Sequence, residues 1–478
     1  MSEIEYALLG AICVFAFLLR LVPIIVKKEY GYDSYYHILV ARALRKERTL
    51  SRKDDFMVPE GAYTYPPLLH MILWPFSGKG ERAALAILSP LIDTITVAIA
   101  FFFVQSLGVW QPLLAALIVA VSPQSVLQAC SLNPRPLGNL FLVMALLSSF
   151  WFWDSENLMY FGLAILFSAL VMLSHKMSLQ ALIAAQLAVS VAATVDSLAN
   201  GFHGILLFLV IPAAIGVAGA LSLGHYVRVV LPDHIKFVKV HLRHGDYLSA
   251  EKRFPSPIQL LKNDLLPYLA PFLGAYVLLE LDAGEVITFL FAWALGVMMI
   301  AQTWRWGDAW RYLQFGTFPS AMLVAAWLWT AGYDTLIEAL IIAAIVLVLL
   351  LITALQLRRT IKGDPTSTIL EALRRLPPEW KAKLDGVLVY SNIIHPTIPY
   401  AIGAKCLGVN PTSSGIEVSF QFRELGHKSL SAMSSYAKKA IGKPLDYFLV
   451  FRTGPQPATD NFERVYLSDD LSIFIEKP

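Results

Sequence analysis

The sequence predicts an α-helical protein that crosses the membrane many times and carries a small soluble α/β domain behind its last span. Three observations lead there. Only 15% of the 478 residues are charged while 56% are hydrophobic, and the mean hydropathy is +0.59; a soluble domain carries about a quarter charged residues. Eleven apolar runs recur before Leu357, each close to the ~20 residues that a spanning helix needs. After Leu357 the composition turns ordinary for some 120 residues, enough for a small domain.

The runs fall near 6–26, 83–106, 111–128, 136–153, 158–174, 178–197, 203–223, 265–281, 285–303, 313–331 and 335–356. The first is followed by Lys27 and Lys28 rather than a small-residue cleavage site, so it reads as a retained anchor. Pro66–Phe76 is too short to span and reads as an interfacial helix, with His70 and Trp74 as amphipathic anchors. Two long polar connections interrupt the pattern, 27–65 and 224–264. Within the first, Ser34–Lys46 places Tyr36, Leu39, Val40 and Ala43 on one helical face. Within the second, Val238–Leu242 fits a strand and a helix equally. The chain thus divides into a transmembrane domain, 1–357, and a C-terminal domain, 358–478. In the latter, strand-like runs at Gly386–Tyr390, Ile416–Phe420, Tyr447–Phe451, Arg464–Leu467 and Leu471–Ile475 surround a helix-like run, Ser429–Ile441.

The net charge is +3, and no nucleic-acid partner is expected. The tail holds no dinucleotide fingerprint, P-loop or HExxH motif. Three isolated cysteines, Cys13, Cys130 and Cys406, argue against a disulfide framework or a zinc site.

Consecutive spans alternate sides. With eleven spans, the connections after spans 1, 3, 5, 7 and 9 and the tail share one face. Asp33, His37, Asp54, Asp55, Tyr65, Asn133, Arg135, His175, Lys176, Arg305 and Arg311 all fall there, whereas the other face receives short links such as Leu107–Trp110 and Asp154–Asn157. Counting Pro66–Phe76 as a span would invert everything downstream. Such segregation suggests an active site at one interface; a transporter more often carries ionisable groups at mid-membrane.

Each motif also has a plainer reading. Asp33 and His37 lie four apart and share a helix face; Asp33 fits the helix N-cap as well as it fits a catalytic acid. Asp54 and Asp55, with Asp33 and His37, are the candidates for a Mg²⁺ or Mn²⁺ ion, since carboxylates suit such ions; a solvated loop pair is the simpler account. Tyr65 precedes Pro66 and Pro67, where proline suits a first helical turn. Arg135 sits between two prolines and either snorkels to headgroups or holds a phosphate. Ser174-His175-Lys176 is a short basic link. Arg305 and Arg311 lie among three tryptophans, a pattern that fits an aromatic belt and equally a pocket where guanidinium groups grip a phosphate.

The order of these motifs resembles the GT-C superfamily of integral-membrane glycosyltransferases, the group of protein mannosyltransferases, aminoarabinose transferases and oligosaccharyltransferases. The matching stretches are Asp33–His37 after the first span, YPPLLH at Tyr65–His70, SPQSVLQACSLNPRP at Ser122–Pro136, LSHKMS at Leu173–Ser178, Arg311-Tyr312 at a late span, and a small domain ending in ERVYLSDDLSIFIEK. They cover most of the chain, though each is short. The resemblance implies a GT-C fold with juxtamembrane helices in the first loop. It also implies a polyprenyl- or dolichyl-phosphate sugar donor, an extracytoplasmic active site and Asp33 as catalytic base. Arg311, Arg305, Lys176 and Arg135 would hold the lipid phosphate. Tyr36, His37, Tyr65, His70, Asn133 and His175 would line the substrate pocket. The tail lacks a WWD-type motif, which favours transfer of a single sugar to a hydroxyl of a protein, lipid or glycan over transfer of an oligosaccharide to asparagine.

The expected place is the plasma membrane, with active face and tail outside. The positive-inside rule points the other way, because the active face carries most Lys and Arg; long loops translocate largely regardless of charge, and phosphate binding accounts for the basic residues. The alternatives are a transporter or scramblase of a polyprenyl-linked glycan, which would use the same cations without needing Asp33, and a non-catalytic membrane subunit presenting the tail to partners.

Overall fold

The computed structural model describes residues 3–50, 53–54, 57–58, 61–107, 111–197, 203–248, 264–280, 284–302, 309–393, 396–407 and 429–477. Helices occupy all eleven apolar runs. The chain begins with α1 (Glu3–Lys27) and α2 (Tyr32–Glu47), then the two-residue strands β1 (Lys53–Asp54), β2 (Met57–Val58) and β3 (Gly61–Ala62), and α3 (Leu68–Leu73). The membrane helices continue as α4 (Lys79–Leu107), α5 (Pro112–Val121), α6 (Pro123–Ala129), α7 (Arg135–Ser155), α8 (Leu158–Ser174), α9 (Lys176–Ser197), α10 (His203–Leu206) and α11 (Val210–Leu221). Then come α12 (Leu231–Leu248), α13 (Leu266–Glu280), α14 (Glu285–Gln302), the 3₁₀ segment Ala309–Gly316, α15 (Thr317–Ala331) and α16 (Thr335–Gly363). Among the described residues, six helices are long and apolar enough to cross a membrane, seven if α5 and α6 form one bent span. Shorter apolar helices, α8, α13 and α14, accompany them. This is an integral, multi-pass membrane protein.

Two sequence ambiguities resolve here. Val238–Leu242 is helical, inside α12. Pro66–Phe76 contains only the six-residue α3, far too short to cross.

The α5–α6 junction bends by 56°, and its cause is Pro123. Proline has no N–H, so the Val119 carbonyl loses its helical partner. In a membrane interior such groups must be satisfied by the protein itself. Arg20 of α1 does this: its guanidinium donates to the carbonyls of Ala120 at 2.9 Å and Val119 at 3.5 Å. Its charge is matched by Asp93 of α4 at 2.6 Å, and both groups are buried. The Thr353 hydroxyl of α16 caps the next carbonyl, Val121, at 2.8 Å. Below the bend, Ser122 donates to Asp264 at 2.6 Å. One proline thereby ties α1, α4, α16 and the approach to α13 to a single point.

The C-terminal part contains α17 (Thr366–Arg375), α18 (Pro378–Leu384), β4 (Leu388–Ser391), α19 (Thr397–Ile402), β5 (Lys405–Leu407), α20 (Leu430–Ile441), β6 (Tyr447–Phe451), β7 (Phe462–Leu467) and β8 (Leu471–Glu476). The sheet order is β2-β5-β4-β6-β8-β7, with β2, β5, β4 and β6 parallel and β8 and β7 antiparallel. Alternating residues bury both faces: Val389, Leu449, Phe451 and Ile473 pack on α17 and α19, while Tyr390, Phe448, Val450 and Phe474 pack on α20. The run Ile416–Phe420 lies outside the described residues.

One sheet member comes from elsewhere. β2 belongs to the first loop, yet Met57 and Val58 pair with Cys406 and Leu407. Further contacts fasten the same loop. Asp364, just past α16, accepts from the Gly31 N–H at 2.8 Å and from the Thr366 N–H at 2.7 Å. Arg374 pairs with Glu29 at 2.6 Å. On α19, Tyr400 packs edge-on against Tyr35 and under the Arg42 guanidinium.

Arg20→Met should leave the Asp93 charge buried without its partner and lower stability by about 3–5 kcal/mol, read as a drop in detergent melting temperature. Arg20→Met combined with Asp93→Leu should recover part of that loss.

Candidate active site

The site is built where α2 leaves the membrane surface. Gly31 is the N-cap of α2, with φ of 80°, a left-handed value that glycine adopts at little cost. A Cβ there would also collide with Ser131. Asp33 occupies the second helical position and no side chain caps this terminus, so the N-cap role considered for Asp33 is not realised. Asp33 is accessible to water yet densely surrounded by protein. This enclosure raises its pKa above the usual carboxylate value, opposed by Arg135 and Arg311.

Arg135, Arg311 and Tyr65 come from three separate segments and lie near this carboxyl. Arg135 comes from the start of α7, where its guanidinium donates to Gln128. Arg311 comes from the 3₁₀ segment; next to it Tyr312 is fully buried and donates to Gln180 of α9. Gln180 in turn meets His234 of α12 at 3.1 Å, so a polar chain fixes the backbone that carries Arg311. His175, in the link between α8 and α9, feels Arg135, His37 and Arg311. Tyr65 lies close enough to Asp33 and Arg135 to feel both charges, and burial raises its pKa.

Beside Asp33 runs a line of rings. His37 Nδ1 and His70 Nε2 are 2.9 Å apart, and the other nitrogen of His70 bonds the Tyr63 hydroxyl. The Tyr63 ring stacks on His225 at 5.9 Å. Tyr36 and Tyr65 meet His37 and His70 edge-on. In the His37–His70 bond one ring donates and the other accepts, so a proton on the accepting nitrogen would break it. Burial, reinforced by Arg135, pushes the His37 pKa down to about 3, keeping it neutral.

The remaining candidates are placed differently. Lys176 is buried and paired with Asp233 at 2.9 Å, with Phe237 under its ammonium, so its charge is already matched. Asn133 spends its amide on its own turn, donating to Gln128 and Ser131 carbonyls and accepting from the Arg135 N–H at 2.9 Å; it shapes the loop that presents Arg135. Arg305 and Asp55 lie outside the described residues, and Asp54 is described only as part of β1, paired with Gly61. Among the described residues no three His, Cys, Asp or Glu side chains gather as a metal site.

The fold as a whole matches a solved structure. The crystal structure of ArnT from Cupriavidus metallidurans bound to undecaprenyl phosphate aligns over 99% of this chain and 98% of its own, with a TM-score of 0.52 and 10% identity. The two chains share one fold. It is the fold class that the order of sequence motifs led us to expect. No protein-family model matches the sequence, and neither does any curated protein.

Sequence reasoning singled out Asp33, His37, Tyr65, His70, Arg135, His175 and Arg311, and the structure brings them together. It missed Tyr63, His225, Asp233, His234 and Gln180. Tyr63 had a signal, since it repeats the spacing of Tyr65 in AYTY. His225 and His234 lay in a stretch legible only as a basic connection.

The sign of the pH effect follows from His37. Its folded pKa lies below the ordinary 6.5, so its contribution is complete above pH 6.5 and is lost progressively toward pH 3. At pH 5 the loss should be roughly 2 kcal/mol, seen as faster hydrogen exchange in α2 and α3. His37→Phe should remove that pH dependence along with about 1–3 kcal/mol, because it takes the partner from a buried ring nitrogen of His70.

Proposed function

We propose that this chain is an inverting glycosyltransferase that moves a sugar from a polyprenyl-phosphate-linked donor to a hydroxyl acceptor at the membrane surface. The observation that carries the reading is one carboxyl held between two arginines, in the same fold as a protein crystallised with undecaprenyl phosphate.

The chemistry fits the arrangement. Asp33 accepts the proton of the acceptor hydroxyl as its oxygen attacks the anomeric carbon. The bond from that carbon to the phosphate oxygen breaks, and the phosphate leaves with the electron pair. An ordinary carboxylate is a weak base toward an alcohol; a raised pKa makes Asp33 a stronger one. Arg311 and Arg135 face the charge that develops on the leaving phosphate, where fixed cations act strongly in a water-poor site. Tyr36 and Tyr65 supply aromatic walls for the sugar or the acceptor. The bilayer presents the donor to the face where α2 exits, and that face is extracytoplasmic in this reading. A reporter fused after Pro478 should be active outside the cell; activity in the cytoplasm would overturn the orientation.

Purified protein supplied with polyprenyl-phosphate sugars and a hydroxyl acceptor should release the lipid phosphate. Asp33→Asn should abolish transfer with an unchanged melting temperature, and near-normal turnover would remove Asp33 from its role. Arg311→Ala should lower kcat roughly 100-fold and move the acid limb of kcat/KM to higher pH, because one of the two cations holding the Asp33 pKa down is gone. An unmoved limb would show that Arg311 does not act on Asp33.

A further inference from the structure

On the lipid-facing side of the membrane domain, α1 and α16 part to leave a groove of about 530 Å³, within the ~300–1,000 Å³ usual for ligand sites. It is lined by Leu19, Val22 and Val26 on one side and by Ala354, Leu357 and Ile361 on the other, and it ends at Arg358 and Lys362. The spacing explains the shape. Positions 19, 22 and 26 share one face of α1, and positions 354, 357, 358, 361 and 362 share one face of α16. Most of the groove is therefore apolar, and two cations close one end. None of the residues converging on Asp33 lines it.

The charge at this end asks for an anion. Arg358 and Lys362 are one turn apart, and like charges at that spacing repel. Both are exposed, and no carboxylate pairs with either among the described residues. The groove also sits where a gap matters. Only 6% of the apolar window of α16 is buried in the protein, so this helix is held by few contacts before it reaches Asp364, whose carboxylate fixes Gly31 at the start of α2.

We propose that this groove is a binding site for an anionic phospholipid of the surrounding bilayer, with one acyl chain between α1 and α16 and the phosphate between Arg358 and Lys362. The lipid completes the packing of α16 against α1 and neutralises the charged pair. It thereby steadies the helix end from which the α2 terminus is held. A phosphate held near two interfacial cations, with the acyl chain in a fixed slot, discriminates by charge; annular lipid does not.

The test uses the full chain in detergent, titrated with dioleoylphosphatidylglycerol or dioleoylphosphatidylcholine and followed by native mass spectrometry and melting temperature. Phosphatidylglycerol should bind at one tight site and raise the melting temperature, and phosphatidylcholine should do neither. Arg358→Gln with Lys362→Gln should weaken that site roughly 10- to 30-fold. Ala354→Trp, which keeps both charges and fills the slot, should abolish it; its size-exclusion profile reports whether it folds. Equal binding of the two lipids, or unchanged phosphatidylglycerol binding in both variants, would overturn the proposal. So would tight binding at this site by undecaprenyl phosphate but not by phosphatidylglycerol, which would make the groove part of the donor path. Since phosphatidylglycerol binding needs no turnover, these results stand apart from the fate of Asp33.

Discussion

One carboxylate holds the active face together. Asp364 accepts backbone N–H groups from Gly31, at the start of α2, and from Thr366, at the start of α17. The exit of the first span, the end of the last long helix and the entry to the C-terminal domain therefore share a single point. Everything on α2 inherits its position from there: two residues beyond Gly31 comes Asp33, and one turn further His37. The Glu29–Arg374 ion pair and the Tyr35–Tyr400 contact repeat the same connection at neighbouring positions. Charge-assisted bonds to backbone groups suit this task, because they fix direction as well as distance.

A second constraint shapes the interior of the site. Burial disfavours charge on every titratable group there, and the fixed charges of Arg135 and Arg311 act in opposite directions on different groups. They hold the Asp33 pKa down while burial lifts it, whereas for His175 both burial and the arginines favour the neutral ring. The outcome is a carboxyl with a raised pKa beside imidazoles that stay neutral and therefore hydrogen-bond rather than repel one another. In the membrane body, Arg20 and Asp93 are buried, paired and turned to a structural end at the Pro123 bend.

Much of this was legible in the sequence because membranes impose a coarse grammar. Each of the eleven apolar runs is helical, and counting sides collected Asp33, Tyr65, Arg135, His175 and Arg311 before any coordinates did. What the pattern could not give were pairings set by distance in the chain. Asp233 is the partner that occupies Lys176, and nothing local links positions 176 and 233. Asn133 carries a polar amide in a functional-looking motif, yet its bonds close its own turn. β2 and β5 are two and three residues long, too short for alternation to register, and β2 pairs with β5 alone. Arg20 and Asp93 did carry a signal, as ionisable residues inside apolar runs, and it went unread.

The pairing of β2 with β5 has a consequence for how the protein is made. Gly31 and Asp364 stand 333 positions apart, and β2 and β5 are separated by a comparable length of chain. A ribosome delivers the first loop long before it delivers its partners. Until the last segments have been synthesised and folded, α2 lacks its clasp and the sheet lacks the edge on which β2 lies. Contacts between such distant parts form late and slowly. Completion of the Asp33 pocket is thus deferred to the end of biogenesis, so a nascent or prematurely terminated chain sits in the bilayer with its chemistry unassembled.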